Sequence, residues 1–330
     1  MISAKMTAAD AASFLGVSLQ AVHKQLRTKQ LPFEKSQNRV YFGHETSRGL
    51  FQIPFGPRTI AFQIVKGGTG KTSLAYSVAR RAHLYGARVL CIDLDQQGNF
   101  TQALQVRAEE HPCMADILEG QLNFGESIVQ VEDGLDVLPS RIENSVLDNI
   151  LMLKRMPLDR VYADLFAPLR SKYDLILIDC PPALGSSVAA AALASDLILA
   201  PVTPEKFSLS GLKLTTTEIA SLEKAYKRSI PVRIVLNKYD NRTALSHDVL
   251  TQLVKHHIFG EMLFKSYVRH SQEFPNATAK GESVFDVIRE TSAKEDVDLL
   301  TVELLDIAKS KSRKDSISLG NIETAQAVAV

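Results

Sequence analysis

Hydrophobic positions follow two different patterns along the chain, and the change between them falls near residue 57. Residues 8–15 and 19–27 carry apolar side chains at helical spacing, and Leu19, Val22 and Leu26 share one face of the second segment. From residue 59 onwards, short unbroken apolar runs alternate with helical segments. Because strands that are covered on both faces read as unbroken apolar runs, the second pattern predicts a largely parallel α/β sheet.

The large unit contains a series of short apolar runs. They predict strands at residues 59–65, 87–94, 173–179, 196–202 and 231–237, and two further segments, 134–139 and 261–264, are candidate edge strands. Residues 103–133 and 142–170 are interpreted as helical insertions. We therefore expect a doubly wound, mostly parallel sheet over 58–310, a small domain over 1–57 and a flexible tail over 311–330.

The small unit has the sequence signals of two capped helices. Thr7 and Asp10 resemble a capping box at the start of the first helix, Gly16 ends it, and Ser18 caps the second. An extended segment at 39–42 follows and predicts a β-wing. Two short helices around a glycine turn, the second with a basic outer face, indicate a helix-turn-helix. The candidate DNA contacts are Ser18, Gln20, His23, Lys24, Arg27 and Arg39.

The composition is that of an ordinary globular protein. Of 330 residues, 45% are hydrophobic and 23% are charged, which excludes a fibrous or wholly disordered chain. Cys91, Cys113 and Cys180 share no close spacing, so neither a disulfide framework nor a zinc finger is expected. The sequence has no run of about 18 apolar residues and its first residues lack the apolar core of a signal peptide. We therefore expect a cytoplasmic protein that does not enter a membrane.

The net charge of +1 conceals an uneven distribution. Residues 1–58 hold eight basic and three acidic side chains, a net charge of +5, whereas the other 272 residues hold 30 basic and 34 acidic ones, a net charge of −4. The division lies at a Pro-Phe-Gly-Pro segment, residues 54–57, which cannot continue a helix. The basic excess of the small unit favours DNA as its ligand over the alternative, a helical hairpin whose charges are only solvated.

A glycine-rich segment joins the first strand of the large unit to a helix that runs to about residue 85. In a phosphate-binding loop, glycines let backbone N–H groups approach phosphate oxygens, the lysine neutralises charge and the threonine hydroxyl ligates Mg²⁺. The matching residues are Lys66, Gly67, Gly68, Thr69, Gly70, Lys71, Thr72 and Ser73. The strict pattern has Gly where this chain has Val65. A chance glycine-rich turn is the alternative.

The segment KGGTGKTS at 66–73 resembles the deviant Walker A motif of the ParA and MinD group of ATPases, in which Lys66 is the signature lysine. Further segments resemble ParA partition ATPases in the order of that family, over about residues 59–307. They are DLDQQGNFT at 93–101, where Gln96 replaces the usual proline, YDLILIDCPP at 173–182, DLILAPVTPE at 196–205 and VRIVLN at 232–237. The resemblance implies a doubly wound P-loop NTPase.

The resemblance also implies how a nucleotide is bound. Lys71 and the rest of the loop would bind ATP, Thr72 would ligate Mg²⁺ directly, and Asp179 would hold the ion through water. Asp179 ends an apolar strand, at the edge where doubly wound sheets bind their ligands. Asn237 follows a later strand and matches the asparagine with which the family contacts adenine.

Three residues are implied in hydrolysis. Asp95 matches the carboxylate that positions or activates the attacking water, and Lys66 would reach across an ATP-bound homodimer to the nucleotide of the partner. There it would offset charge that develops on the transferred phosphoryl group. Asp93 lies two residues before Asp95 and either supports the site or only holds the loop in place.

ParA proteins bind DNA without sequence preference through basic residues on the C-terminal side of the ATPase fold. Arg242, Lys265 and Arg269 match that pattern, and Lys255 is assigned as a helper. Lys265 stands where the family has arginine, which still suits a phosphate contact because that contact carries charge and no base information. The alternative is a solvated basic face on an acidic domain.

Residues 11–18 and 39–42 resemble the MerR or excisionase type of winged helix, over about 40 residues. Many partition ATPases carry an N-terminal helix-turn-helix that represses their own operon. Together the resemblances imply an ATP-dependent DNA partition protein with ATP and Mg²⁺ as cofactors. It would act as a nucleoid-associated homodimer that a ParB-like partner stimulates to hydrolyse ATP and release DNA.

Three other functions remain open for such a sequence. One is a transcriptional regulator whose operator affinity is switched by ATP. A MinD-like positioning ATPase would need a basic amphipathic helix at its C-terminus, and residues 324–330 contain no basic side chain. A metabolic P-loop enzyme would leave the DNA-binding unit without a purpose, and the three cysteines do not match those of a nitrogenase-type reductase.

Overall fold

The computed structural model describes residues 5–36, 38–120, 122–205, 208–286 and 289–308. The tail expected at 311–330 lies outside the described residues. Within the described ranges, none of the helices is both long enough and apolar enough to cross a bilayer. The described chain forms a small antiparallel sheet with its helices, followed by a large and mostly parallel sheet.

Residues 6–51 form the small unit. Its elements are β1 (Met6–Thr7), α1 (Ala8–Leu15), α2 (Leu19–Thr28), β2 (Glu34–Ser36), β3 (Arg39–Phe42) and α3 (His44–Phe51). Thr7 caps α1 in a capping box with Asp10, and Gly16 ends that helix with a φ of +66°. The two predicted helices and the extended segment are therefore confirmed, and β3 pairs antiparallel with both β1 and β2. The helix α3 is an addition that apolar spacing does not predict.

The large unit contains eight described strands in one sheet. Its elements, in chain order, are β4 (Arg58–Phe62), α4 (Lys71–Leu84), β5 (Val89–Asp93), α5 (Asn99–Ala103), α6 (Met114–Glu119), β6 (Val129–Glu132), β7 (Leu135–Leu138), α7 (Leu147–Leu153), α8 (Val161–Phe166), β8 (Leu175–Asp179), α9 (Ser186–Ala194), β9 (Leu197–Val202), α10 (Ser208–Tyr226), β10 (Val232–Tyr239), α11 (Ala244–Lys255), α12 (Phe259–Met262), β11 (Val268–Arg269), α13 (Glu273–Ala279) and α14 (Ser292–Leu304). The strand order is β11-β10-β9-β4-β8-β5-β7-β6, and the named strands pair in parallel except β6 with β7. The predicted α/β sheet is confirmed.

Of the two segments predicted as edge strands, only one forms a strand. The segment 134–139 contains β7, and β6 lies antiparallel beside it. The prediction for 261–264 is wrong, because α12 occupies residues 259–262 and Leu263 makes an isolated bridge to Ile234. Phe264 is instead buried under the guanidinium of Arg233, which lies 4.7 Å from the ring centroid. The apolar character of this segment therefore reflects packing, and β11 forms the edge.

The central strands are buried on both faces. In β5, Leu90 belongs to one core cluster and Cys91 to the cluster on the other face, and neither side chain is accessible to solvent. The parallel strands β4, β8 and β5 end at the same edge of the sheet. Because Asp93 pairs with Asp179 in the register of β5 and β8, the two carboxylates lie side by side at that edge.

The small unit packs against the C-terminal end of α4. We call this contact the joint, defined by Phe14, Phe51, Arg81, Tyr85 and Asp298. The buried ring of Tyr85 lies 4.6 Å from that of Phe14 and 6.0 Å from that of Phe51. Arg81 donates hydrogen bonds to Asp298 of α14 and to the hydroxyl of Tyr85. The two units that the sequence separates at 54–57 therefore share one hydrophobic core.

Two buried histidines lie beside the joint. The ring of His44 in α3 stacks on that of His83 in α4, with 4.6 Å between centroids and 6° between planes. Nε2 of His44 lies 3.1 Å from the carbonyl oxygen of Ala87, and Nε2 of His83 lies 2.8 Å from that of Asp133. A Cβ on Gly134 would lie 2.4 Å from the His44 ring, so this contact requires glycine.

Candidate nucleotide site

The glycine-rich loop lies between β4 and α4, at the carboxyl edge of the sheet. Gly68 and Gly70 have φ values of +76° and +88°, in a left-handed region that residues with a Cβ rarely adopt. A Cβ on Gly70 would also lie 2.3 Å from Nδ2 of Asn237. These glycines let the loop turn directly into α4, whose first residues then line a cavity with the positive end of the helix.

Lys71 is the first residue of α4, and its side chain is buried. The ammonium donates to the carbonyl oxygens of Ile64 and Lys66, both at 3.4 Å. Burial lowers the pKa of Lys71, and the nearby carboxylates of Asp179 and Asp95 oppose that shift. A buried cation with two such long contacts is available to a stronger anionic partner, which a phosphate group provides.

Thr72 and Asp179 form a hydrogen-bonded pair next to Lys71. The hydroxyl of Thr72 donates to Oδ2 of Asp179 at 2.6 Å, while the buried Oδ1 has no hydrogen-bond partner among the described residues. Burial raises the pKa of Asp179 well above its ordinary value, and the charge of Asp93 raises it further. A cation would relieve both penalties. Hydroxyl and carboxylate oxygens are the ligands that Mg²⁺ takes, so these residues fit the ion.

The two aspartates after β5 have different surroundings. Oδ2 of Asp93 accepts hydrogen bonds from the backbone N–H and the hydroxyl of Thr101, at 2.9 and 2.8 Å. Burial raises the pKa of Asp93 to about 7, against the lowering effect of those hydrogen bonds. Asp93 thus holds the loop, which favours the structural alternative. Asp95 instead lines the cavity, and its Oδ1 accepts from the N–H of Gln97 at 3.0 Å.

A cavity of about 680 Å³ lies in front of the loop. It is lined by Gly67, Gly68, Gly70, Lys71, Thr72, Ser73, Tyr76, Asp95, Gln97, Asn99, Gln102, Ala103, Pro182, Lys238 and Thr278. The structure thus brings Asp95 to the loop residues, as the order of the motifs leads one to expect. Sequence reasoning missed Tyr76, Gln102, Ala103, Lys238 and Thr278. Of these, Lys238 carries a signal, because it follows Asn237 at the end of a predicted strand.

Asn237 and Lys238 support the loop from the end of β10. Nδ2 of Asn237 donates to the carbonyl oxygen of Thr69 at 2.7 Å, and Nζ of Lys238 donates to that of Gly68 at 2.9 Å. Both side chains therefore hold backbone carbonyls of the loop in place. The adenine contact expected of Asn237 stays a prediction.

In the single chain, Lys66 is engaged away from the cavity. Its ammonium contacts the carboxylate of Glu205 and donates to the hydroxyl of Ser208 at 3.0 Å. The hydrogen bond from Lys66 is the main reason why the pKa of Glu205 lies below its ordinary value. To act on a second nucleotide, Lys66 has to leave these two partners.

The basic residues assigned to DNA on the large unit lie in two settings. Arg242 is exposed and pairs with Asp240, whereas the half-buried Arg269 is held by Asp296 and Glu295. The side chains of Lys255 and Lys265 are exposed, the first at the end of α11 and the second shortly after α12. Both arginines have their charge balanced within the chain, and Arg269 is in addition half-buried, which leaves it the weakest of the four assignments.

The small unit presents its basic residues differently. A groove of about 340 Å³ runs between α2 and the β2–β3 ribbon, and its lining includes His23, Arg27, Lys35 and Arg39. Gln20 and Lys24 are exposed on the same helix, α2. The hydroxyl of Ser18 accepts from the N–H of Ala21 at 3.2 Å, so this side chain caps α2.

Two kinds of sequence similarity bear on this site. A family model described as an AAA domain matches residues 57–232. The cell division protein PomZ of Myxococcus xanthus is 31% identical over 268 residues, which cover 78% of this chain and 82% of PomZ. A ParA family protein of Chlamydia trachomatis is 30% identical over 252 residues, which cover 75% of this chain and 97% of that protein.

Solved structures share the fold. The ATP complex of a variant of McdA from Cyanothece superposes with a TM-score of 0.69 at 20% identity, over 78% of this chain and 99% of McdA. A cobyrinic acid a,c-diamide synthase from Mycobacterium smegmatis, with an ATP analogue and magnesium bound, gives 0.65 at 23% identity, over 75% of this chain and 94% of the synthase. The loop geometry and the sequence similarity together show that the chain belongs to the ParA family of P-loop ATPases.

Proposed function

We propose that the chain is an ATP-dependent DNA partition protein, a homodimer in its ATP-bound state. The observation that carries this proposal is the convergence of Lys71, Thr72 and Asp95 on one polar cavity, with the buried Asp179 hydrogen-bonded to Thr72 directly behind it. A buried ammonium with long contacts and a buried carboxylate oxygen that has no hydrogen-bond partner among the described residues both gain a partner when a phosphate and a divalent cation enter. Such a site favours MgATP over an uncharged ligand.

Hydrolysis uses the same residues in different roles. Lys71 and the loop N–H groups bind the β- and γ-phosphates, while Thr72 and Asp179 would hold Mg²⁺. When bound, Mg²⁺ neutralises phosphate charge. Asp95, at the cavity wall, positions or deprotonates the attacking water. In the dimer, Lys66 leaves Glu205 and reaches the partner's nucleotide, where its charge stabilises the transition state.

The proposed partition protein binds DNA at two surfaces. The ATP-bound dimer would hold DNA without sequence preference through exposed lysines and Arg242, and a ParB-like partner would stimulate hydrolysis and release. The groove beside α2 supplies the second surface, where Arg27, Lys35 and Arg39 lie between a helix and a β-ribbon as in a winged helix that reads an operator.

The turnover step is tested by Asp95→Ala. We expect the variant to bind ATP and DNA while its hydrolysis rate falls about 10²–10⁴-fold, because positioned acid–base groups contribute that much. The measurements are phosphate release and ATP-dependent co-sedimentation with random duplex DNA. Asp159→Ala, at an exposed aspartate outside the cavity, is the matched control. Normal hydrolysis by Asp95→Ala would overturn the assignment.

The two DNA surfaces are separated by a pair of double variants. We first select, from a pool of random sequences, a duplex that wild type binds tightly. The double variant Arg27→Ala with Arg39→Ala should lose affinity for this duplex while it keeps ATP-dependent binding to bulk DNA. Lys255→Ala with Lys265→Ala should do the reverse, with a shallower salt dependence on bulk DNA. If neither double variant changes binding to either DNA, the proposed surfaces are wrong.

A second candidate is a transcriptional regulator whose operator affinity is switched by ATP. One observation favours it: α4 begins at the nucleotide cavity and ends in the joint with the small unit. A rigid helix that contacts both sites can transmit a nucleotide-dependent shift. An ATP-dependent change in affinity for the selected duplex, without ATP-dependent binding to bulk DNA, would favour this candidate over partition.

A further inference from the structure

The strand β10 changes its backbone conformation where it reaches the phosphate loop. Its residues 232–236 pair regularly with β9, but the register against β11 shifts between Asn237 and Tyr239. Lys238 lies within that shift and has a φ of +57°, in the left-handed region that residues with a Cβ rarely adopt. Strained residues of this kind cluster at ligand sites, where the surrounding structure holds them. The irregularity therefore points to a role for the side chain of Lys238.

The irregular backbone directs two successive side chains to the same target. In a regular strand, successive side chains point to opposite faces, so Asn237 and Lys238 would point apart. Here Nδ2 of Asn237 donates to the carbonyl oxygen of Thr69 at 2.7 Å, and Nζ of Lys238 donates to that of Gly68 at 2.9 Å. The departure from strand geometry thus brings an ammonium to the phosphate loop, next to an amide that already braces it.

The ammonium of Lys238 lies at the cavity and has donors available. Lys238 lines the cavity, and its side chain is exposed. Within the described ranges it donates to the Gly68 carbonyl and has no ion-pair partner, so two of its three N–H groups are available to a ligand. The pKa of Glu205 is lowered mainly by its hydrogen bond from Lys66 and to a smaller degree by the charge of Lys238. That carboxylate is already paired with Lys66.

A phosphate chain is the ligand that matches this arrangement. Bracing a carbonyl requires a donor but no charge, so the charge of Lys238 remains for an anion. The backbone N–H groups of the loop and the start of α4 attract phosphate oxygens, and a cation held against the same loop adds a charge-assisted hydrogen bond to the same ligand.

We propose that Lys238 is a second phosphate-binding lysine of the nucleotide site, and that it binds the phosphate chain of MgATP together with Lys71. This inference rests on the proposed ATP-binding function. It adds a binding residue that β10 contributes from outside the loop motif.

The experiment measures the affinity of the full chain for MgATP at several salt concentrations, by isothermal titration calorimetry. In Lys238→Ala the affinity should fall about tenfold and depend less on salt, because one charge-assisted hydrogen bond to phosphate is lost. Lys238→Gln should lose as much, although its amide still provides a donor for the loop carbonyl. Lys238→Arg, which keeps the charge, should stay within about threefold of wild type.

Lys227→Ala is the matched control. Lys227 is exposed and lies outside the cavity lining, and its φ of +52° is also left-handed. The substitution therefore makes the same chemical change on the same kind of backbone. The affinity of this variant for MgATP should stay within about twofold of wild type.

Three results would overturn the inference alone, provided that wild type binds MgATP. One is an affinity of Lys238→Ala within about twofold of wild type, and another is a loss of affinity without any change in salt dependence. The third is wild-type affinity in Lys238→Gln, because the lysine then only braces the loop. A wild-type chain that does not bind MgATP overturns the proposed function and this inference with it.

Discussion

The two ends of α4 hold charged residues in opposite states. At the N-terminal end, Lys71 has two contacts of 3.4 Å, and Asp179 keeps one buried oxygen without a partner among the described residues. At the C-terminal end, Arg81 hydrogen-bonds Asp298 and Tyr85, and its guanidinium lies 4.4 Å from the centroid of the Tyr85 ring.

This difference separates a binding site from a structural contact. Buried groups that lack partners cost stability in the free protein and recover it when a ligand arrives, whereas satisfied groups stabilise the fold at all times. Substitutions at the first end should therefore change ligand affinity, and those at the joint should change the free energy of unfolding.

The largest expected effect is that of Lys71→Ala on ATP binding. The variant loses the charge-assisted hydrogen bonds to phosphate, so we expect affinity to fall about 10²–10⁴-fold. Its free energy of unfolding should stay within about 1 kcal/mol of wild type, because the contacts of Lys71 in the free chain are long. Equilibrium titration with a fluorescent ATP analogue measures the first and urea unfolding the second. Lys224→Ala, at an exposed lysine of α10, is the control.

The next effect concerns the joint. Tyr85→Ala removes a fully buried aromatic ring and its hydroxyl contacts with Arg81 and Asp298, so we expect a loss of about 3–5 kcal/mol in the free energy of unfolding. Below the unfolding transition, ATP affinity should change less than about threefold. Tyr226→Ala, at the exposed end of α10, should cost less than about 1 kcal/mol. Equal losses in the two variants would contradict the role given to the joint.

The smallest effect is a dependence of stability on pH beside the joint. Burial lowers the pKa of His83 from 6.5 to about 4, although Glu132 and the hydrogen bond to Asp133 oppose the shift. Between those two values the unfolded chain binds a proton that the folded chain does not, so stability falls as the pH decreases from about 6.5. Between pH 7 and 5 we expect this histidine to account for a loss of about 1–2 kcal/mol.

Urea unfolding at several pH values measures that loss. In His83→Gln the dependence should be smaller by this amount, whereas His257→Gln, at an exposed histidine, should keep the wild-type dependence. Because Asp93 and Asp179 have raised pKa values and act in the opposite direction over this range, the comparison with the variant decides: if His83→Gln keeps the wild-type dependence, His83 does not stay neutral in the folded chain.

Sequence patterns predict the fold where backbone rules act alone. Capping residues and apolar spacing place α1 and α2, and unbroken apolar runs place the central strands. Apolar spacing does not predict the helix α3, because its buried residues include His44, Thr46 and Ser47. The burial of these polar residues depends on contacts with other parts of the chain. The segment 261–264 fails for the converse reason, since its apolar residues pack without joining the sheet.

The residues of the nucleotide site also fall into those that the sequence predicts and those that it does not. Residues within one contiguous motif, such as Lys71 and Thr72, follow from the sequence because the strand–loop–helix geometry is local. Thr278 lines the cavity through the packing of a distant segment, which no local spacing encodes, whereas Tyr76 lies one helical turn after Thr72 on α4. Counting basic residues in the sequence does not identify a DNA-binding surface for a related reason. The count includes Arg269, whose charge is already balanced by two carboxylates in the folded chain.

Thermal unfolding with increasing MgATP tests the central claim, that the ligand binds at the N-terminal end of α4 and the joint only supports the fold. A ligand that binds only the folded chain stabilises it by about 2.7 kcal/mol when the free ligand concentration is 100 times Kd. We predict that Tm rises with MgATP in wild type and, from a lower starting value, in Tyr85→Ala, while Lys71→Ala shows no rise. A rise in Lys71→Ala equal to that of wild type would contradict the account.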